Sequence, residues 1–510
     1  MKHKLSSAIF LTILLLSGVF SSCVSLPEQA ETFARTPSIF PDYAQVMIPP
    51  NIAPLNFHVT EPGKKIVRFK GNTQEFLVKG DELIKIPQKK WQSLLKDAAG
   101  GNVHVTVYAK EAGKWIQYND INWQVSTDPI DGYLAYRLIE PTYANWNEMT
   151  IVQRRLTAYD ETELINNDKT GNNCMNCHTF NRGNPNEMVM HFRKTNPGTL
   201  LIRNGEIKKL STKTDKTISQ FVYPYWHPNG RHIAFSTNDT QMSFYDSKDK
   251  IIEVYDLKSD IVIYDSESNE VFTDSLIASP ESFESFPLFS PDGKYLYFCT
   301  SPAVDSLPQN YARVLYSLCR IGFDAQTQTF ASAVDTIIHV APEGKSVSLP
   351  ALSPDGNYML CSIGDCGSFM SWDNGSDLYL YDLRKEMLTL QDQWNSDCSD
   401  SYTSWSSNSR WIVFSSRRMD GLYNHLYIAH IDEAGNASKP FLLPQRDPQM
   451  YKTLYKAYNI AHFIKEKVAM TSYDIAETVR NGTPVQVNFR EGSYVPAVDA
   501  KNPAPVSEVN

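Results

Sequence analysis

The chain lacks the short motifs of the common hydrolases and nucleotide-binding enzymes: there is no Gly-x-Ser-x-Gly elbow, no His-Glu-x-x-His and no Gly-x-x-x-x-Gly-Lys-Ser/Thr. A serine hydrolase of that kind, a zinc protease and a P-loop enzyme are excluded. Positive charge is in deficit, with 48 Lys and Arg against 57 Asp and Glu and a net charge of -9, which excludes a nucleic-acid partner of the usual basic kind. Beyond the N-terminus no apolar run is long enough to cross a bilayer. Cysteine is scarce, at 8 in 510 residues. Cys299, Cys319, Cys361, Cys366 and Cys398 contain no second Cys-x-x-Cys, which leaves a zinc site short of partners. They are also odd in number, so no disulfide is assigned, and a local Cys361 to Cys366 bridge stays open. Long amphipathic helices are few, while 27 Tyr, 24 Phe and frequent Pro favour short strands, so the fold class is mostly β.

What is present begins with an export signal. Lys2 and Lys4 precede the apolar run Ala8-Ile9-Phe10-Leu11-Thr12-Ile13-Leu14-Leu15-Leu16, and small residues lead on to Cys23. Phe20-Ser21-Ser22-Cys23 resembles a bacterial lipoprotein cleavage box, with Phe20 in place of the usual Leu. That resemblance implies a signal peptide over 1–22, lipidation of Cys23 and a place in the cell envelope, either facing the periplasm or on the outer membrane.

Residues 23–54 read as a lipid-anchored tether held extended by Pro37, Pro41, Pro49, Pro50 and Pro54. Residues 55–142 read as a small β-sandwich-like domain. Its strands alternate at Lys65-Ile66-Val67-Arg68-Phe69, Val103-His104-Val105-Thr106-Val107-Tyr108, Trp115-Ile116-Gln117-Tyr118 and Gly132-Tyr133-Leu134-Ala135-Tyr136-Arg137-Leu138-Ile139. One helix is expected over 87–97. Residues 143–199 read as a loop-rich segment with a helix-like stretch over 149–164, and 491–510 as a disordered tail.

Inside that loop-rich segment lies Cys174-Met175-Asn176-Cys177-His178, the pattern that fixes a c-type haem. Two thiols at this spacing bond the two vinyl groups of one haem, and the histidine that follows ligates the iron. A dithiol redox pair and half of a zinc site use the same Cys-x-x-Cys. Cys174 and Cys177 are thus candidate haem-binding residues and His178 the candidate iron ligand. Met188, Met190 and His191 are alternative sixth ligands, although Met188 and Met190 also alternate as packing neighbours do. Arg182 and Arg193 are candidates to pair with haem propionates.

Four segments then repeat a strand, a turn and a strand. They are Trp226-His227-Pro228-Asn229-Gly230, Phe289-Ser290-Pro291-Asp292-Gly293, Leu352-Ser353-Pro354-Asp355-Gly356 and Trp405-Ser406-Ser407-Asn408-Ser409, each followed by alternating apolar residues. The fourth lacks Pro and Gly, so a different turn is expected there. Asp260-Ile261-Val262-Ile263-Tyr264-Asp265 and Asp377-Leu378-Tyr379-Leu380-Tyr381-Asp382 add a second repeat, with His425-Leu426-Tyr427-Ile428-Ala429-His430 a looser third. These residues resemble the TolB-type β-propeller repeat over roughly 198–489. The resemblance implies a C-terminal propeller over 200–490 with five or six blades, binding a partner at one mouth of its channel. Residues 199–202, 207–210 and 485–489 are expected to supply further strands.

Together these features give three expectations. The first is an envelope-anchored mono-haem protein that passes electrons, with the propeller docking a redox or envelope partner. The second is a propeller binding or assembly protein whose haem motif is structural or sensory. The third is a peroxidase-like haem enzyme with an open sixth position. A non-enzymatic role is favoured, with one covalent haem c as cofactor.

Overall fold

A computed structural model describes residues 24–140, 148–247 and 249–496. The signal peptide, Cys23, the start of the loop-rich segment and most of the tail lie outside the described residues.

Among the described residues, six antiparallel sheets of four principal strands follow one another around a ring, and the class is mostly β with a β-propeller. Blade 1 combines residues 133–166 with the late strand Ala457–Ile464. Blades 2 to 6 span 174–211, 221–272, 282–338, 346–390 and 400–442. Their innermost strands are Cys174–Phe180, Phe221–Trp226, Ser282–Phe289, Ser346–Leu352 and Asp400–Trp405, and each neighbours the next. Ala457–Ile464 lies between Asp400–Trp405 and Cys174–Phe180, so a strand from late in the chain closes the ring. Closure removes the sheet edges that would otherwise invite pairing.

Each innermost strand carries the same bulge. Register slips around one residue held in the left-handed region: Cys177 (φ 50), Tyr223 (φ 49), Phe286 (φ 53), Leu349 (φ 51), Tyr402 (φ 50) and Ile460 (φ 45). A bulge adds twist and re-aims the side chain at the extra residue. It recurs at one level of the six strands that surround the channel. Between blades the strands bury apolar faces on each other, as where Phe289 of blade 4 and Phe272 of blade 3 meet around Phe323, with centroids 5.4 and 6.4 Å from it. Each such ring contributes about 2–3 kcal/mol on burial.

The turns follow the expected chemistry. In Ser290-Pro291-Asp292-Gly293 the Gly293 amide donates to the Ser290 carbonyl at 2.9 Å, the Ser290 hydroxyl donates to Asp292 at 2.6 Å, and Gly293 has φ 75. The fourth copy does not differ as expected. Ser409 itself takes φ 62 and closes the same turn onto the Ser406 carbonyl at 2.9 Å.

The remaining expectations on segments move in four places. Strand Tyr133–Ile139 belongs to blade 1 and not to the N-terminal β domain, whose last strand is Ile121–Val125. Residues 149–164 are two strands, Met149–Arg155 and Glu161–Asn166, because Thr150-Ile151-Val152 is β-branched and pairs along Tyr133–Ile139. The expected haem segment is blade structure from Cys174 onward. Finally, residues 24–54 pack instead of trailing: Tyr43, Val46, Ile48 and Ile52 are buried, and Trp123 donates to the Tyr43 carbonyl at 2.7 Å.

The N-terminal domain is a seven-stranded sheet and a three-stranded sheet against helix Gln88–Ala98, which turns Trp91, Leu94, Leu95 and Ala98 inward. Its core is continuous with Trp411, Val413, Ile428 and Phe441 of blade 6. Val485–Gln486 and Asn488–Phe489 add parallel edge strands to blades 2 and 3. Among the described residues no helix is long and apolar enough to cross a membrane.

Candidate functional site

Strand Cys174–Phe180 places the Cys-x-x-Cys-His residues beside the channel. Cys174, Cys177 and His178 are buried at 3%, 8% and 2% exposure. Cys177 is the bulge residue, in the place that the other blades fill with Tyr223, Phe286, Leu349, Tyr402 and Ile460. His178 takes the following position, which is Pro224, Pro287 and Pro350 in blades 3, 4 and 5.

The imidazole of His178 packs edge-on to His462 of blade 1, with centroids 5.3 Å apart, and to Phe180 at 6.3 Å. It donates to the backbone carbonyl of Ala135, while Nε2 is buried with no hydrogen-bond partner among the described residues. Burial, then the charges of His462 and Arg137, hold His178 well below the usual histidine range. The ring is therefore neutral, with its proton on the nitrogen facing Ala135 and a bare lone pair on Nε2.

Positive charge gathers beside the thiols. Arg193 lies opposite Cys174 in the strand ladder and donates to its Sγ at 3.7 Å. Arg137 of blade 1 is buried and donates to the Met175 carbonyl at 2.9 Å. The field of both guanidiniums reaches Cys177, whose thiol is nevertheless pushed up, chiefly by burial. Tyr223 and Tyr402 complete the cluster, and burial raises both hydroxyls above the usual tyrosine range, so they stay protonated donors.

The mouth of the channel at the Cys174 end is capped. Hairpin strands His232–Phe244 and Ile252–Asp265 and the 365–376 loop meet over it, with Ile251 donating to the Trp372 carbonyl at 3.2 Å and Asn374 to the Asp249 carbonyl at 2.8 Å. Ile251, Ile252 and Trp372 share one core with Cys174 and Met175.

The sixth-ligand candidates separate. Met190 is the cross-strand neighbour of His178 and Met188 that of Phe180, and both thioethers pack in the core between blades 1 and 2. His191 is buried opposite Asn176 with Nδ1 3.0 Å from the Thr199 hydroxyl, and its Nε2 has no partner among the described residues. Burial pushes its pKa down to about 3. Arg182 lies away from the cluster, bonded to the Pro291 carbonyl at the turn end of the blades. His227 sits in the turn between the first two strands of blade 3, 3.0 Å from the Gly293 carbonyl in the matching turn of blade 4. Arg137, Tyr223, Tyr402 and His462 were not legible as site residues. The signal that finds Tyr223 and Tyr402 is the repeat itself, which aligns Asn176-Cys177-His178 with Val222-Tyr223-Pro224, Ser401-Tyr402-Thr403 and Asn459-Ile460-Ala461, whereas Arg137 and His462 lie outside that alignment.

The two thiols, the imidazole and its unpartnered Nε2 are the donor set that a covalently held haem would use. Among the described residues no three His, Cys, Asp or Glu side chains converge as a metal site, so the two thiols and the imidazole do not share one ion. A reactive dithiol needs a lowered thiol pKa, usually at a helix N-terminus, whereas Cys177 lies in a strand with its pKa raised. A haem asks the thiols to bond carbon and the imidazole to offer an unshared nitrogen, as Nε2 of His178 does.

No family model and no curated protein matches the chain. Among solved structures it is similar to a puromycin-hydrolyzing peptidase of Mycobacterium tuberculosis, at 12% identity and TM-score 0.34 over 61% of this chain and 53% of that one. The tricorn protease gives 11% identity and TM-score 0.33 over 77% of this chain and 43% of that one. A periplasmic gluconolactonase of Pseudomonas aeruginosa gives 12% identity and TM-score 0.32 over 61% of this chain and 97% of that one. The match thus spans about half the length of the first two.

Proposed function

We propose that this chain is an envelope-anchored c-type cytochrome-like protein. In this reading one haem is held in a six-bladed propeller through Cys174 and Cys177, with His178 as the iron ligand. The observation that carries the proposal is the imidazole of His178, oriented by the Ala135 carbonyl and left with a buried Nε2 that has no hydrogen-bond partner among the described residues. Cys174 and Cys177 would hold the group through two thioether bonds, and His178 would offer its iron a nitrogen ligand. The bound group would supply a one-electron iron couple.

The protein's own residues do the rest. Ala135 fixes the tautomer of His178, and His462 and Phe180 hold the ring in place. Bulge residues Tyr223, Phe286, Leu349, Tyr402 and Ile460 offer an aromatic and aliphatic wall, which limits water and steadies a potential. The capping hairpin and loop give a surface above the site for a redox or envelope partner to dock. Export through the 1–22 signal and lipidation at Cys23 would put the chain in the compartment where such attachment occurs.

Expression with a haem-attachment system, followed by denaturing electrophoresis and peroxidase staining, tests the proposal. A stained wild-type band that is lost in Cys174→Ala and Cys177→Ala is expected. An unstained wild-type chain leaves only the propeller as a binding module.

A further inference from the structure

The N-terminal domain holds a cavity of about 510 Å³ where its two sheets part. Two crossings frame it: residues 60–64 lead from Phe57–Val59 of the three-stranded sheet to Lys65–Lys70 of the seven-stranded one, and 81–82 lead back from Glu75–Gly80 to Leu83–Ile84. Gln449, from the segment after blade 6, lines it as well. The volume lies within the roughly 300–1,000 Å³ of small-molecule sites.

Three side chains that line the cavity, His58, Glu61 and Lys65, are buried at 8%, 5% and 2% exposure, and each has an end that the protein leaves unmet. Nε2 of His58 stands 2.9 Å from Oδ1 of Asp447, whose carboxylate is held below its usual range chiefly by that bond. A carboxylate only accepts, so Nε2 carries the hydrogen, and Nδ1, buried without a partner among the described residues, offers a lone pair. Oε1 of Glu61 accepts from the Ser38 amide and from Arg35, both at 2.8 Å, while its Oε2 is buried with no partner among the described residues. Lys65 makes no side-chain hydrogen bond and no ion pair among the described residues. Burial draws its pKa down against the opposing pull of Glu82, Glu61 and Asp81, which stand beyond ion-pair reach. A buried cation without an anion is costly, and so is a buried acceptor without a donor.

We infer that this cavity is a binding site for a small amino-carboxylate zwitterion, the chemistry of a free amino acid, with its ammonium on Oε2 of Glu61 and Nδ1 of His58 and its carboxylate on Lys65. The site goes beyond the haem reading and does not rest on it. An anion without N–H groups leaves two buried acceptors unmet, and a simple cation meets the repulsion of Lys65. A sugar matches donors with acceptors but brings no charge to Lys65, and among the described residues no Trp, Tyr or Phe lines the cavity to stack its ring. Hydrogen bonds between charged partners are the stronger ones, which favours the zwitterion.

The test is equilibrium dialysis of the full chain against millimolar mixtures, first of the common L-amino acids and then of glucose, galactose and mannose, with retained compounds identified by mass spectrometry. At least one amino acid is expected to be retained, and no sugar. The N-acetyl and carboxamide derivatives of that amino acid should bind wild type at least about tenfold more weakly, because each removes one charged partner. Lys65→Met, which keeps the stem and drops the charge, and Glu61→Gln should weaken it by a similar factor while thermal unfolding stays cooperative. The derivatives are read on wild type, which keeps the inference falsifiable where a variant does not fold. Retention of no amino acid overturns the site, as does retention of a sugar or equal affinity for either derivative. So does an amino acid that either folded variant holds as tightly as wild type. Haem staining of the same samples is read separately, so failure of this site and failure of the haem reading are told apart.

Discussion

Cys177 and Tyr402 occupy the same place in two different blades: each is the left-handed residue, at φ 50, of the bulge in its innermost strand. The two side chains act on each other electrostatically, and Arg137 acts on both. The second cysteine of the motif therefore sits at a repeat position built to present a side chain at the channel, and the propeller supplies its surroundings from blades far apart in sequence.

Because the bulge is set by the strand ladder, Cys177→Ala should fold. Losing one buried thiol is expected to lower stability by about 1 kcal/mol. Urea unfolding checks this, and a collapse of the cooperative transition would mean that the sulfur itself holds the blade together.

Asp260 is almost fully buried, and burial raises its pKa to about 7, against a favourable charge from Lys258. Its folded value lies above its unfolded one, so the native state holds the proton longer. This contribution is present below about pH 4 and is lost as pH rises towards 7. Asp260→Asn should therefore match wild type near pH 4 and be more stable by about 2–4 kcal/mol at pH 8. Glu284, also raised to about 7, acts on the same patch and contributes in the same direction. Urea midpoints at pH 4, 6 and 8 decide, and an unchanged difference across them would refute the burial penalty.

Ring closure depends on Ala457–Ile464, which fills the inner position of blade 1. A chain ending at residue 456 should lose the cooperative thermal transition. One ending at residue 483 removes the edge strands over 485–489, the buried Val487 and the ion pairs of Arg490 with Asp265 and Glu270, but no principal blade strand, and should unfold cooperatively with about 2–3 kcal/mol less stability. Calorimetry of the two truncations separates these outcomes.

Four blades were legible because Ser-Pro-Asp-Gly and its variants mark their turns. Blades 1 and 2 were hidden for physical reasons: the innermost strand of blade 1 comes from residues 457–464, so no short turn joins it to Tyr133–Ile139, and the turn of blade 2, after Phe180, reads Asn181-Arg182-Gly183-Asn184. Without the proline and aspartate the local signal fades, although the strand geometry is kept. Pairing of Tyr133–Ile139 with Ala457–Ile464 is non-local, and no short window contains it. The same distance explains the site, since Cys174, Cys177 and His178 were evident from spacing alone while Arg137, Tyr223, Tyr402 and His462 arrive from other blades.

Turn glycines give a contrast. Gly293 has φ 75, and a Cβ there would stand 2.5 Å from Nε2 of His227, whereas Gly344 has φ 69 with nothing within 4 Å. Gly344→Ala should cost about 1 kcal/mol from backbone conformation alone, and Gly293→Ala about 1–3 kcal/mol more. Equal losses in thermal unfolding would show that His227 yields freely.

Peptide mapping of the chain isolated from cells that carry a haem-attachment system tests the central claim most directly. The peptide containing Cys174 to His178 is predicted to carry one haem joined through both sulfurs and to resist thiol alkylation. Recovery of that peptide with both thiols alkylated and no added haem mass would contradict the account.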